Sequence, residues 1–203
     1  MIRHHPSDTT RLAYAAGTLP PAHARVLAVH LAQCDSCRAT TRMFEELGGV
    51  LVEELDTVPM SEGALARTLA RLDAPRLQPR PPAPTTLAGL ATGRWIPIGP
   101  GVRLMPLAKR DWTDTRLDLI RVSPGVALPQ HDHTGNETAC ILQGGYRDAR
   151  GEYGPGDIAE GEPGLDHAPV AVDGEDCICI IATTGRLRAH SLIARLIQPL
   201  FGI

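Results

Sequence analysis

The sequence predicts two domains of different class, an all-α N-terminal bundle and an all-β C-terminal sandwich or barrel. Three observations carry this. Residues 1–75 place apolar side chains at three- and four-residue steps, with nothing that alternates like a strand. Residues 87–203 carry short apolar runs cut by glycine and proline turns. Between them Pro75–Pro84 reads PRLQPRPPAP, with five prolines in ten residues. Such a stretch holds neither a helix nor a central strand and favours extended polyproline II, so residues 76–86 are expected to form a semi-rigid linker.

The N-terminal elements follow in order. Ser7 is placed to cap a first helix through about Ala16, with Gly17 to end it. Pro20 and Pro21 open a second, where Ala22, Val26, Val29 and His30 fall at helical spacing. A third is expected after Cys37, with Met43, Phe44, Leu47 and Leu51 on its apolar side. A fourth is expected from an N-cap at Ser61, with Leu65, Leu69 and Leu72 on one stripe. In the C-terminal part, Leu117–Val122 alternates, and Ala139–Leu142 and Cys177–Ala182 are short apolar runs. Turn signals at Pro124-Gly125, Gly144-Gly145, Gly154-Pro155-Gly156, Pro163-Gly164 and Asp173-Gly174 separate them, the punctuation of a β-sandwich or barrel. From Ser191 onward, apolar pairs recur every four residues, an amphipathic helix expected to pack on its own barrel.

Composition narrows the function. The chain has 203 residues, 43 % hydrophobic and 21 % charged, enough apolar matter for a core and too much for general disorder. Aromatics are 3 % and the net charge is −3, which gives neither stacking platforms nor a basic field, so direct nucleic-acid binding is excluded. No run approaches the ~20 apolar residues of a membrane span. The opening MIRHHPSD has no apolar stretch after its charges, so no secretory signal is expected. Five cysteines, an odd number, then point to a reducing, cytoplasmic compartment rather than a disulfide framework.

The chain has eight histidines and five cysteines, and part of them cluster in two places. The first is His30-x3-Cys34-x2-Cys37. Four residues apart on a helix puts His30 and Cys34 on one face, and the two-residue step lets both thiolates converge on one ion. Zn²⁺ prefers such mixed sulfur and nitrogen sites and takes four ligands in a structural role. His5, just ahead of the first helix, is the chosen fourth ligand; His4 is its rival and His23 is less suitable. A catalytic C-x2-C redox pair lacks the βαβ context such motifs need.

The second cluster lies within Gly125-x5-His131-x-His133-x3-Glu137-x6-Gly144. Residues two apart on a strand face the same way, so His131 and His133 point together, and Glu137 returns from the adjoining segment. This pattern resembles the first motif of the cupin (jelly-roll) barrels. The resemblance makes His167, after Pro163-Gly164, the fourth ligand, although no Asn follows as in the second cupin motif. Three imidazoles and one carboxylate suit Zn or another divalent transition metal, and ligand type alone does not choose. Cys177 and Cys179 sit two apart with Cα atoms ~6.6 Å from each other, both facing one side; with Cys140 they read as buried packing rather than a redox pair. His23 and His190 read as solvated helix-surface residues.

The helical opening His4-His5-Pro6-Ser7-Asp8 followed by the H-x3-C-x2-C motif resembles the zinc-binding anti-sigma factor family. The whole chain is similar to its ChrR-type members, which append a cupin domain. Matching stretches include Tyr14–Leu19, Asp176–Cys179 and Ser191–Leu200. The resemblance implies that the N-terminal helices bind an extracytoplasmic-function (group IV, ECF) sigma factor and occlude its RNA-polymerase-binding surfaces. It also implies that the cupin half is needed for release under singlet-oxygen stress. So small a helical unit hardly buries all its apolar stripes; Leu65, Leu69 and Leu72 are the candidate docking face, unless they close the bundle. The alternative is a metal-dependent cupin enzyme, a dioxygenase or hydrolase, with a regulatory zinc appendage. Asp132, Asp166 and Tyr146 are its candidate acid–base groups, but nothing singles out a general base.

Overall fold

The computed structural model describes residues 1–72 and 83–189. Most of the proline-rich linker, His190 and the expected helix from Ser191 lie outside the described residues. Four helices occupy the N-terminal part: α1 (Asp8–Ala15), α2 (Pro21–Leu31), α3 (Asp35–Glu53) and α4 (Ala64–Leu72). The Ser7 hydroxyl accepts from the Thr10 amide to cap α1, and Gly17 at φ 69° turns the chain out of it. α3 starts earlier than expected, with Cys34 as its cap and Cys37 in its first turn. α4 starts later, at Ala64; the Ser61 hydroxyl is taken by the Arg67 guanidinium at 2.8 Å instead of capping a helix.

A short helix α5 (Leu87–Leu90) leads into eleven strands: β1 (Ile96–Gly99), β2 (Val102–Ala108), β3 (Thr115–Val122), β4 (His131–His133), β5 (Glu137–Gln143), β6 (Tyr146–Asp148), β7 (Gly151–Tyr153), β8 (Ile158–Gly161), β9 (Val170–Ala171), β10 (Cys177–Thr184) and β11 (Leu187–Ala189). They form a six-stranded sheet in the order β1-β2-β3-β10-β5-β8, a three-stranded sheet β7-β6-β9, and a pair β11-β4. Every strand pairing among the described residues is antiparallel. All-α helices followed by an all-β cupin-type barrel is the fold class that the sequence predicts.

The six-stranded sheet buries both of its faces. Toward the barrel interior, Val122, Ile141, Cys177 and Cys179 pack against Tyr146, Tyr153 and Ala171 of the smaller sheet. On the opposite face Leu117, Leu119, Cys140, Ile180 and Ala182 pack against Val26, Leu27 and Val29 of α2. Alternate residues of β10 thus serve different cores, which is why Cys177–Ala182 reads as an unbroken apolar run. The helices and the barrel therefore share a core, a tighter coupling than the proline-rich linker suggests. Polar bonds reinforce it. His23 is buried, not solvated: its Nδ1 meets the Thr138 hydroxyl at 2.8 Å and its Nε2 the Thr184 hydroxyl at 2.9 Å. Burial holds this imidazole below its ordinary pKa, so it sits neutral between two hydroxyls that either donate or accept.

Leu27→Ala is expected to cost about 2–5 kcal/mol, because Leu27 is fully buried between α2 and the sheet. Thermal unfolding followed separately by helix circular dichroism and by barrel aromatic signal checks this. Both midpoints should fall together; an unchanged barrel midpoint contradicts the shared core.

The outer helices differ. From Glu45 to Leu72 almost every residue is exposed, including Leu47, Leu51, Leu55, Leu65, Leu69 and Leu72, and α4 has no buried residue. No helix among the described residues is long and apolar enough to cross a membrane.

Candidate metal centres

The N-terminal cluster forms where three elements meet. His30 lies near the end of α2, Cys34 at the cap of α3, Cys37 one turn into α3, and His5 in the extended segment ahead of α1. Their ligand atoms all lie within 4.8 Å of one another. His5 Nδ1 is 3.5 Å from Cys34 Sγ and 3.3 Å from Cys37 Sγ. A tetrahedral zinc with bonds of about 2.0–2.3 Å sets its ligand atoms roughly 3.3–3.8 Å apart, so the pocket fits the ion. The structure also decides between the two N-terminal histidines. His4 stacks on Tyr153 at 4.1 Å and bonds the Glu152 carbonyl at 3.1 Å, which turns it toward the barrel. His23 faces the sheet.

Two further observations point to a cation. His30 Nδ1 donates to the Gly156 carbonyl at 2.7 Å, which leaves Nε2 as the lone-pair nitrogen, and that atom is buried without a hydrogen-bond partner. The thiols respond oppositely to their surroundings. Burial and the neighbouring Cys34 push Cys37 up to about 11. Burial pushes Cys34 up as well, but hydrogen bonds from Ser36 and Cys37 outweigh it and leave that thiol below its ordinary value. Two thiolates this close need a positive charge between them. The first-turn amides of α3 and the Arg11 guanidinium, 3.6 Å from Cys37 Sγ, supply part of it.

The barrel cluster forms on β4 and β5. His131 and His133 point the same way from β4, Glu137 opens β5, and His167 is held by a two-way backbone bridge to His131, 3.1 Å in each direction. His133 Nε2 is 3.4 Å from His167 Nε2 and 3.2 Å from Glu137 Oε2. The ligand nitrogens of the three histidines lie within 4.8 Å of one another. His131 Nδ1 donates to the Pro129 carbonyl at 2.7 Å, which makes Nε2 its lone-pair nitrogen. Burial, with the neighbouring histidines adding to it, pushes His133 down to about 3 and His167 to about 4, so both imidazoles present lone pairs. Burial pushes Glu137 up to about 7 despite the opposing pull of Arg150. Lone-pair imidazoles beside a buried carboxylate are a donor set that a divalent cation completes.

The other candidates fall elsewhere. Tyr146 stacks on Tyr153 at 4.8 Å in the barrel core, and burial raises its hydroxyl far above its ordinary pKa, which leaves it useless as a base. Asp166 accepts the Gln130 side-chain amide. Cys177 and Cys179 are buried with sulfurs 3.6 Å apart, and Cys140 is fully buried on the α2 side. Sequence reasoning missed Asp157 and the Gly156 carbonyl, which reach the N-terminal cluster from the barrel; the Gly154-Pro155-Gly156 turn was their only local signal.

A candidate zinc-ligand cluster in helices, fused to a cupin-type barrel with a second candidate metal cluster, defines a two-part class of protein. Comparison with known proteins narrows this class. A family model described as ChrR cupin-like domain matches residues 85–186, and a zinc-finger family model matches residues 12–38. The anti-sigma-E factor ChrR of Cereibacter sphaeroides is 43 % identical over 213 residues, covering 100 % of this chain and 99 % of the relative. Among solved structures, the crystal structure of Rhodobacter sphaeroides SigE in complex with the anti-sigma ChrR matches at 42 % identity and a TM-score of 0.78, covering 90 % of this chain and 99 % of that one. The chain belongs to the ChrR family of anti-sigma factors, which places it among transcription regulators rather than enzymes.

Proposed function

We propose that this protein sequesters an ECF-type sigma factor in the cytoplasm and blocks its association with RNA polymerase. The observation that carries the reading is the bare apolar face of α3 and α4. A helix in a globular protein owes most of its stability to packing. Yet the last turns of α3 and all of α4 leave Leu47, Leu51, Leu65, Leu69 and Leu72 in water. Rows of exposed apolar side chains along a helix mark a protein–protein interface. The solved relative is a complex of ChrR with the sigma factor SigE, which supplies the class of partner. The mechanism is steric occlusion: the helices cover surfaces with which the sigma factor would otherwise meet the polymerase.

In this reading residues 1–75 form the anti-sigma unit, 76–86 the linker and 87–203 the cupin unit. His5, His30, Cys34 and Cys37 hold Zn²⁺, which fixes the segment before α1 to α2 and α3. His131, His133, Glu137 and His167 hold Zn²⁺ or another divalent transition metal. The cupin unit governs release of the sigma factor under oxidative stress such as singlet oxygen. Its location supports this: β5 carries Glu137 at one end and packs its Cys140 face on α2, so a change at the barrel site reaches the helices.

The double variant Leu65→Asp/Leu69→Asp is expected to lower affinity for the sigma factor at least 100-fold, since a few buried apolar anchors carry most interface energy. Zinc content should stay at the wild-type value. Binding measured with purified sigma factor checks this; unchanged affinity rules out α4 as the docking face.

A further inference from the structure

One turn of the barrel holds one of the four candidate ligands of the N-terminal site directly and fixes the residues just ahead of a second. The Gly156 carbonyl accepts from His30 Nδ1 at 2.7 Å. Asp157, almost completely buried, accepts the amides of Arg3 at 2.6 Å and His4 at 3.0 Å on one carboxylate oxygen, and the Gly154 amide at 2.9 Å on the other. The Ile158 amide donates to the His4 carbonyl at 3.1 Å. Residues 3 and 4 are therefore clamped just ahead of His5. The approach is close: Gly156 has φ 88°, and a Cβ there would lie 2.7 Å from two atoms of Ile2. The same turn runs into β8, whose far end pairs Gly161 with Glu137 of the barrel cluster.

We propose that the turn Gly154–Ile158 is the outer shell of the N-terminal zinc site, with Asp157 as the positioning residue for His5 and the Gly156 carbonyl fixing the tautomer of His30. This rests on the zinc reading of that site. Outer-shell partners set ring orientation and ligand basicity, and their loss typically weakens metal binding about 10–100-fold. It follows that zinc affinity in the helical part depends on the conformation of the barrel. By linkage, a change that displaces β8 weakens zinc binding, and zinc in turn resists that displacement.

The test uses the full-length chain. Zinc affinity is measured by competition with a chromophoric chelator. Co²⁺ serves as a second probe, because a cobalt–thiolate charge-transfer band reports the cysteine-bearing site and not the histidine cluster. Asp157→Ala should bind zinc 10–100-fold more weakly and shift the cobalt ligand-field bands. Asp157→Asn keeps an acceptor oxygen and should fall between it and wild type. If Asp157→Ala does not fold, Asp157→Asn carries the test, and its affinity must still drop. Val122→Ala, buried on β3 and separated from β8 by β10 and β5, controls for general destabilisation and should leave zinc affinity unchanged. Wild-type affinity in both Asp157 variants, or an equal loss in Val122→Ala, overturns the proposal alone. A wild-type chain without a cobalt–thiolate band overturns the underlying zinc reading, and this proposal with it.

Discussion

Cys37→Ser should strip the N-terminal site of zinc and release the sigma factor constitutively. Cys37 is 1 % exposed, one turn into α3, and its sulfur is one of two that converge on His5 and His30. A serine hydroxyl stays protonated near neutral pH and cannot replace a thiolate ligand. Zinc binding in small metal-folded units contributes an apparent ~10–16 kcal/mol, comparable to the whole stability of a domain at ~5–15 kcal/mol. In the proposed zinc-bound state that energy would hold the outer helices in place. α1 has no buried residue of its own, and α3 buries only Cys37 and Thr41. Without the metal these two helices lose their anchor to α2, whereas α2 stays fixed to the sheet through Val26, Leu27 and Val29. The expected outcome is a folded barrel, a metal-depleted N-terminal site and loss of measurable inhibition. Metal analysis together with transcription from a sigma-dependent promoter checks it. Retained inhibition in a zinc-free Cys37→Ser protein contradicts the account.

Substitution of the barrel cluster should do the opposite. In His131→Ala or Glu137→Ala the sigma factor stays inhibited while induction is lost. Both residues belong to the barrel, apart from the exposed face of α3 and α4, so removing either leaves the docking surface intact. Each loses one of four candidate ligands, and Glu137 is the only carboxylate among them. Metal bound at the barrel should fall while zinc at the N-terminal site remains. Promoter activity before and after oxidant treatment separates the two phenotypes. Equal loss of inhibition from cysteine and cupin substitutions contradicts the division of labour between the two parts.

The parts of the site that follow local periods were legible in the sequence. The H-x3-C-x2-C spacing brings His30, Cys34 and Cys37 together, although Cys34 sits at the cap of α3 and not on a helix face shared with His30 as the helix period predicts, and the strand period aligns His131 with His133. The convergence of Glu137 and His167 on that pair follows from the cupin resemblance. What joins the two halves was not legible, because it is made of long-range contacts. His23 meets Thr138 and Thr184, and Asp157 meets Arg3 and His4, more than a hundred residues away in each case. A lone histidine in the first turn of a helix gives no sign of the hydroxyls it will find. One clue was present: Ala139–Leu142 and Cys177–Ala182 are apolar without alternation, the mark of a sheet covered on both faces. The cover is α2. The proline-rich composition pointed the other way because a linker's stiffness says nothing about whether the segments it joins also pack on each other.

Capture from the native host tests sequestration of a sigma factor by the helical face. Full-length, zinc-loaded protein should retain one ECF-type sigma factor, identified by mass spectrometry, and the Leu65→Asp/Leu69→Asp variant should not. A folded, zinc-loaded wild-type chain that retains no sigma factor, while purified sigma factor and polymerase associate freely in its presence, contradicts the claim.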